Sequence, residues 1–246
     1  MKKAFTYIFN DSGFKFKSFI LFIFMSVCIF QELFSICNKS YNLELNSSSY
    51  VCLSILCLLC YILIQGYGIS VIKSLLADKT SIPFMSLKKD FITGFKFVCA
   101  CTIYLIPLFC IIGACGFSLG IGSPIFFPAT FTKISLVLLI ISVIGTIFLY
   151  SLVMPASMLV FIKTNSLWSF YKFEEIFKIM KQNKKKYFIT VIMFLICGLI
   201  VHLLTTYAGV LCSKYNIHFV WLLIILAITN AYLFYFLNYL IADIET

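Results

Sequence analysis

Long apolar runs alternate with short, lysine-rich polar segments along the chain. Six of the runs reach about 20 residues, the length that an α-helix needs to cross a bilayer core. Backbone groups find no water to bond inside lipid, so apolar runs of this length are expected to be helical. The pattern therefore predicts an all-α, polytopic membrane protein with six transmembrane helices. The predicted spans are Ser18–Cys37, Tyr50–Ile72, Phe97–Gly116, Ile134–Phe161, Phe188–Leu211 and Phe219–Ala242.

The composition agrees with this pattern. Hydrophobic residues make up 62% of the 246 residues, and charged residues make up only 11%. Soluble domains are about 45–50% apolar and about 25% charged, which excludes an ordinary water-soluble domain. We expect a single integral-membrane domain that covers residues 1–246.

The lysines predict how the spans are oriented. Sixteen of the 19 basic residues, all of them lysine, lie before the first predicted span, between the second and third, or between the fourth and fifth. The loops on the other side carry only Lys39, Lys133 and Lys214. By the positive-inside rule, both termini are expected in the cytoplasm, in a multi-pass protein of the cell membrane. No A-x-A-like cleavage site follows the first apolar run, so we expect no cleaved signal peptide.

Three aromatic, lysine-rich segments each lead into a predicted span. They are Ala4–Phe16, Pro83–Phe97 and Trp168–Phe188. Their apolar stripes are typical of amphipathic helices that lie in the membrane interface. The order suggests three helical-hairpin units, covering residues 1–80, 81–165 and 166–246. The alternative is that any span preceded by a cytoplasmic loop acquires lysine and aromatic anchors.

Two details of these segments are specific expectations. Pro83 fits the first turn of a helix, because proline is tolerated where the backbone N–H has no helical partner. In the third segment, four apolar residues recur at helical spacing and are expected to share one face. These residues are Phe170, Phe173, Phe177 and Met180.

Short motifs follow one another in a defined order along the chain. They are Ala4-Phe5-Thr6-Tyr7 with Asp11, Gly66-Tyr67, Pro83, Asp90-Phe91-Ile92-Thr93-Gly94, Tyr104 with Pro107, Pro155-Ala156, and the aromatic segment Trp168–Tyr187. On these motifs the chain resembles a prokaryotic membrane family, the domain of unknown function 4013, over essentially its whole length. The resemblance implies a polytopic membrane protein and no particular biochemical activity.

Four polar residues within the predicted spans form the candidate intramembrane site: Glu32, Gln65, His202 and Asn230. Ionisable side chains inside a membrane are functional hypotheses by default. Glu32 and His202 each lie 14 residues beyond the predicted cytoplasmic start of their span, so they could meet at equal depth. Alternatively, Glu32 reaches the outer headgroups and His202 bonds a backbone carbonyl. Gln65 and Asn230 could equally link helices by hydrogen bonds.

Eleven cysteines raise the question of a metal site. Cys57 and Cys60 form a C-x-x-C pair, but structural zinc needs four ligands and this pair lies in an apolar span. We therefore expect small apolar packing residues, with no metal and no cofactor. Cys37 and Cys52 flank the first outer loop and could form a disulfide in an oxidising compartment.

The sequence favours a non-catalytic, transport-related or membrane-assembly component. The alternatives are a membrane enzyme that acts on lipid at the cytoplasmic interface, with Lys88, Lys89 and Asp90 as its candidate cluster, and an immunity or stress protein. Expected partners are membrane lipids, anionic on the cytoplasmic face, and a protein in a membrane complex. Nucleic acid is not expected, because the lysines follow the membrane boundary.

Overall fold

In the computed structural model, the described residues are 13–41, 47–77, 82–120, 129–215 and 219–245. Within these ranges the chain forms seven α-helices and one short 3₁₀ helix, with no strand. The all-α prediction is therefore confirmed. The helices are α1 (Phe14–Tyr41), α2 (Ser47–Leu76), α3 (Leu87–Gly120), α4 (Ala129–Thr164), the 3₁₀ helix Leu167–Tyr171, α5 (Phe173–Gln182), α6 (Lys184–Tyr215) and α7 (Phe219–Asp243).

Three helices of the described part are long and apolar enough to cross a membrane. They are Ser48–Leu76 in α2, Lys184–Leu211 in α6 and Trp221–Asp243 in α7, and they match the second, fifth and sixth predicted spans. Helices of this kind indicate a membrane protein. The other predicted spans lie within α1, α3 and α4, which are 28, 34 and 36 residues long.

Four of the helices pack around one another. Helix α1 contacts α2, α6 and α7, while α7 also contacts α2 and α6. Helix α3 packs along α2, and α4 packs along α3. The arrangement leaves a space between α1, α2, α6 and α7, which is described below.

The largest core cluster joins several helix ends. It contains residues from the last turns of α2, α4 and α7 and from the first turns of α6, together with Phe97, Ala100 and Cys101 of α3. The rings of Phe97, Phe161 and Phe170 contact one another there, with centroids 5.6 to 6.2 Å apart. These ends therefore lie on one side of the molecule. We call this side the lysine-rich end, because the segments that meet there carry most of the lysines.

The start of α3 differs from the prediction for Pro83. Residues 82–86 are not helical, and α3 begins at Leu87 and continues without a break to Gly120. The expectation that Pro83 occupies a first helical turn is wrong, as is a separate interfacial helix over Pro83–Phe97. The reason is that the Asp90 carboxylate accepts the Ser86 backbone N–H and so fixes the helix start after Ser86.

The aromatic stripe of the third segment is also divided between two faces. Ile176 and Ile179 face the core at 1% and 7% exposure, whereas Phe173 and Phe177 are about half exposed, at 49% and 52%. The 3₁₀ helix Leu167–Tyr171 has fewer residues per turn than an α-helix, so Phe170 enters the core on a different register. Phe173 and Phe177, one helical turn apart, do share the exposed face of α5, so the predicted common face is wrong for the buried Phe170. The three-unit repeat stays a prediction, because most of Ala4–Phe16 lies outside the described residues.

Candidate functional site

Two glycines allow α2 and α3 to touch along their backbones. A Cβ atom built on Gly66 would lie 1.7 Å from the Asp90 carbonyl oxygen, and one on Gly94 would lie 1.9 Å from the Ile62 carbonyl oxygen. Either contact is far inside van der Waals distance. Small residues permit such close helix approach in membrane proteins.

Asp90 ties the two helices together beside this contact. Its carboxylate is 1% exposed and accepts a hydrogen bond from the Ser70 hydroxyl at 2.6 Å and from the Ser86 backbone N–H at 2.7 Å. The bonds are short, as expected for a charged acceptor. One side chain thus caps α3 and bonds to α2.

Tyr67 and Lys17 hold the segment that connects α2 to α3. The Tyr67 hydroxyl donates to the Pro83 carbonyl oxygen at 3.1 Å and lies 3.2 Å from the Tyr235 hydroxyl of α7. Lys17 of α1 is 6% exposed and donates to the Ile82 carbonyl oxygen at 2.5 Å, with its ammonium over the Phe84 ring. A buried ammonium needs such partners to offset its lost hydration.

We call this arrangement the α2–α3 joint and define it by Gly66, Tyr67, Pro83, Asp90 and Gly94. All five are motif positions identified in the sequence, although their spacing there gave no sign that they meet. The supporting residues Lys17, Ser70 and Tyr235 were not predicted. A lysine at the start of a span looks the same in sequence whether it anchors at headgroups or turns inward.

A second site is a cavity of about 400 Å³ between α1, α2, α6 and α7. We call it the four-helix cavity. It is lined mainly by apolar side chains, among them Met25, Ile29, Ile64, Phe194 and Phe234. Its lining includes exposed residues such as Tyr61 and Gly198, so it opens to the lateral surface of the helices.

Two of the four predicted intramembrane residues line this cavity. Gln65 of α2 and Asn230 of α7 are both half-buried there, and the buried Thr205 of α6 also lines the cavity. The Asn230 amide nitrogen donates to the Leu226 carbonyl oxygen at 2.9 Å, and the Thr205 hydroxyl donates to Val201 at 2.9 Å. Among the described residues, the Gln65 amide and the Asn230 side-chain oxygen have no protein partner. These groups can therefore bond to a ligand.

The other two predicted residues, Glu32 and His202, are not among the described residues that line the cavity. His202 is exposed on α6 and does not contribute to the lining. The Glu32 side chain lies outside the described residues. Since α1 and α6 are neighbours, a Glu32–His202 pair stays a prediction.

Comparison with protein families shows the family to which the chain belongs. The family model described as protein of unknown function (DUF4013) matches residues 50–210, which is more than half of the 246 residues. The chain belongs to this family. The matched range contains the whole α2–α3 joint but not Ala4–Tyr7 or Asp11, so the match is shorter than the resemblance suggested. The chain matches no curated protein and no solved structure.

The remaining motif positions of the DUF4013 range lie away from the joint. Phe91 is half-buried and its ring stacks on Phe95 one turn later, with centroids 6.4 Å apart. Pro155 is buried within α4, next to the core cluster at the lysine-rich end. Tyr104 and Pro107 belong to α3, but their side chains lie outside the described residues.

The cluster suggested for lipid chemistry is not assembled in this DUF4013 chain as described. Lys88 and Lys89 are exposed, whereas the adjacent Asp90 carboxylate turns inward to Ser70 and Ser86. A buried carboxylate with both oxygens bonded is not presented to a lipid headgroup. Asp90 therefore serves the joint.

Cys28 of α1 and Cys57 of α2 pack against the backbone of the neighbouring helix. The Cys57 thiol lies 3.3 Å from the Val27 carbonyl oxygen, and the Cys28 thiol lies 3.8 Å from the Cys57 carbonyl oxygen. Within the described ranges, no group of three histidine, cysteine or acidic residues could hold a metal ion. The Cys37–Cys52 disulfide stays a prediction, because the Cys37 side chain lies outside those ranges.

Proposed function

We propose that this DUF4013 chain crosses the cell membrane six times, with both termini in the cytoplasm. Three candidate membrane helices support this topology, and α1, α3 and α4 are each long enough to serve as a further span. The meeting of lysine-rich segments at one end of the molecule supports the orientation.

Within this topology, we propose a non-catalytic, transport-related role in which the protein binds a mostly apolar, amphiphilic molecule. The four-helix cavity is the observation that carries this proposal. Small-molecule sites are mainly apolar, with a few polar groups that fix orientation, and Gln65 and Asn230 supply such groups here. Cation sites in proteins usually include carboxylate ligands, and the described lining carries no charged side chain.

The lateral opening suits a molecule that enters from lipid. A fatty acid or lysolipid would place its chain among the apolar side chains and its polar group on the Gln65 amide. The α2–α3 joint would contribute indirectly, because it fixes one wall of the cavity by locking α2 against α3. In this proposal the joint holds α2 and α3 together, while the cavity stays open to lipid.

Gly198 provides a sharp test of the cavity. It lines the cavity, and a Cβ atom built on it would meet no atom within 4 Å. Gly198→Phe should therefore fill part of the space without a backbone clash. Gly145→Phe is the matched control, because a Cβ on Gly145 of α4 also meets open space and Gly145 does not line the cavity.

The probe is a stearic acid that carries a photoactivatable diazirine, used on the protein in membranes. We expect labelled peptides from α1, α2, α6 and α7, and a drop of about tenfold or more in Gly198→Phe because the ring occupies the binding volume. Gly145→Phe should label like the unmodified protein. Equal labelling of all three proteins, or labelling spread evenly over every helix, would contradict the proposal and favour a membrane-assembly role.

A further inference from the structure

Gln65 and Asn230 lie at nearly the same level of the four-helix cavity. Helices α2 and α7 run in the same direction, because their last turns both reach the core cluster at the lysine-rich end. A Cβ atom built on Gly68 of α2 would lie 3.2 Å from the Phe234 ring of α7. Gln65 and Asn230 each precede these neighbouring residues by about one helical turn. The two amides therefore face the cavity within about one turn of each other.

Thr205 of α6 lies in the same region of the cavity. Helix α6 runs opposite to α7, and Ala208 of α6 packs in one core cluster with Leu226 of α7. Thr205 and Asn230 each lie about one turn from this cluster, on the side of the lysine-rich end. The cavity therefore brings three uncharged polar side chains together, one from each of α2, α6 and α7.

These side chains keep hydrogen-bonding groups that the described protein leaves unused. The Gln65 amide can both donate and accept, while Asn230 uses one N–H on Leu226 and keeps its side-chain oxygen and its second N–H. The Thr205 hydroxyl donates to Val201, so its oxygen can still accept. Among apolar side chains and lipid there is little water to bond them, and an unmade bond costs free energy. A ligand that donates and accepts at once therefore suits this region.

The absence of charge in the described lining restricts the ligand further. An ionised headgroup would lose its hydration there without gaining a partner of opposite charge. Phosphate headgroups are therefore disfavoured, and a fatty acid would enter in its protonated, uncharged form. A simple ester is uncharged but can only accept hydrogen bonds, so it would leave the oxygen atoms of Gln65, Asn230 and Thr205 without a donor. A hydroxyl group meets both requirements, because it is uncharged and both donates and accepts.

We propose that the four-helix cavity selects a neutral lipid whose headgroup carries hydroxyl groups, with a monoacylglycerol as the representative of this class. Its hydroxyl groups would donate to the side-chain oxygens of Gln65 and Asn230, and its ester carbonyl would accept the Gln65 amide N–H. The acyl chain would lie among the apolar residues and the lateral opening. This inference rests on the proposed function, because it names the class of amphiphile that the same cavity takes.

Competition against the diazirine-bearing stearic acid tests the headgroup. The full chain is reconstituted in phosphatidylcholine vesicles and photolabelled at mildly alkaline pH, where the competing fatty acid is largely ionised. Monooleoylglycerol, methyl oleate or oleic acid is added over a range of mole fractions in the bilayer. The three competitors share one acyl chain, so differences in their displacement of the probe report the headgroup alone.

Monooleoylglycerol should displace the probe at a mole fraction about fivefold or more below that of methyl oleate, because one net hydrogen bond is worth about fivefold in affinity. Ionised oleic acid should compete no better than methyl oleate. Equal competition by methyl oleate or by oleic acid would overturn the headgroup inference and leave binding in the cavity intact. If the probe does not label the cavity of the unmodified chain, the proposed function itself fails, so the two failures are distinguishable.

Gln65→Leu tests which side chain gives the preference. The change keeps a similar side-chain volume and breaks no hydrogen bond in the described part of the chain, so the fold should be retained. It should weaken competition by monooleoylglycerol about fivefold and leave methyl oleate unchanged. Gln31→Leu is the matched control, because Gln31 of α1 donates to Ser54 at 3.0 Å and is not among the described residues of the lining.

The control variant should keep the preference of the unmodified chain for monooleoylglycerol. An undiminished preference in Gln65→Leu, or an equal loss in both variants, would overturn the role of Gln65. The comparison of the three competitors on the unmodified chain needs no variant and decides the headgroup class by itself.

Discussion

Gly66 and Gly94 each occupy a place where one methyl group would collide with the backbone of the neighbouring helix. The cost of such a collision differs from that of an ordinary packing change, because a carbonyl oxygen in a helix cannot rotate away as a flexible side chain can. At the residue scale, these two positions therefore set the distance between α2 and α3. Asp90 and Tyr67 then fix the relative alignment through their hydrogen bonds.

Replacing either glycine by alanine should destabilise the protein. We expect Gly66→Ala and Gly94→Ala each to lower the free energy of unfolding by about 1–3 kcal/mol, because the helices must move apart. Gly145→Ala is the control, since its Cβ meets open space, and it should gain up to about 1 kcal/mol from helix propensity. Denaturation in mixed micelles measures all three. If Gly66→Ala and Gly94→Ala change the free energy of unfolding no differently from the control, the backbones of α2 and α3 are not in contact.

The sequence contained part of this information. The resemblance identified Gly66, Tyr67, Asp90 and Gly94 as positions of the family motifs, which follow one another in a defined order along the chain. It could not show that they meet, since that depends on how α2 and α3 are aligned. Lys17 and Ser70 were missed because a lysine or serine at the end of an apolar run is common in any membrane helix.

At the scale of elements, α5 differs most from what its sequence predicts. The four apolar residues were expected to share one face; Phe173 and Phe177 do share the outward face of α5, whereas Phe170 precedes the helix and is buried. The helix packs on the core by Ile176 and Ile179 instead. Periodicity identifies an apolar stripe only within one continuous helix. The preceding 3₁₀ helix breaks the register, and its boundary is not visible in the pattern.

Two adjacent substitutions distinguish these faces. Ile176→Ala removes buried apolar volume and should lower the free energy of unfolding by about 2–4 kcal/mol. Phe177→Ala removes a half-exposed ring and should cost less than about 1 kcal/mol in detergent, despite its larger volume. Thermal unfolding in the same detergent compares the two. The reverse order of stabilities would show that α5 packs on the core by its aromatic face.

The start of α3 illustrates a second limit at this scale. Hydropathy places the third span at Phe97, where the apolar run begins, whereas the helix begins ten residues earlier at Leu87. A local hydrogen bond from Ser86 to Asp90 determines that start. Hydropathy measures how well side chains suit lipid and does not report where a helix is capped.

At the scale of the whole molecule, the class was predictable and the arrangement was not. Apolar length and lysine distribution predicted a helical membrane protein without knowledge of any contact. They could not predict which helices are neighbours, so Gln65 and Asn230 were grouped with His202, which is exposed away from the four-helix cavity. The burial of Pro155 in the core also depends on helix neighbours that hydropathy does not specify.

The position of the lysine-rich end relative to the membrane has the largest consequence for the molecule as a whole. If the lysine-rich segments that meet there all face the cytoplasm, the helices cross the bilayer in the predicted topology and the four-helix cavity opens into lipid. The proposed cavity site therefore requires that the helices cross a bilayer. A chain in water would not support it.

Substituted-cysteine labelling tests that requirement most directly. In a variant whose 11 native cysteines are replaced by alanine, Lys39→Cys and Lys185→Cys are each exposed to a membrane-impermeant maleimide. The predicted topology requires Lys39→Cys to react in intact cells and Lys185→Cys to react only after the membrane is opened. Reaction of both in the same compartment, or recovery of the protein in the membrane-free fraction, would contradict it.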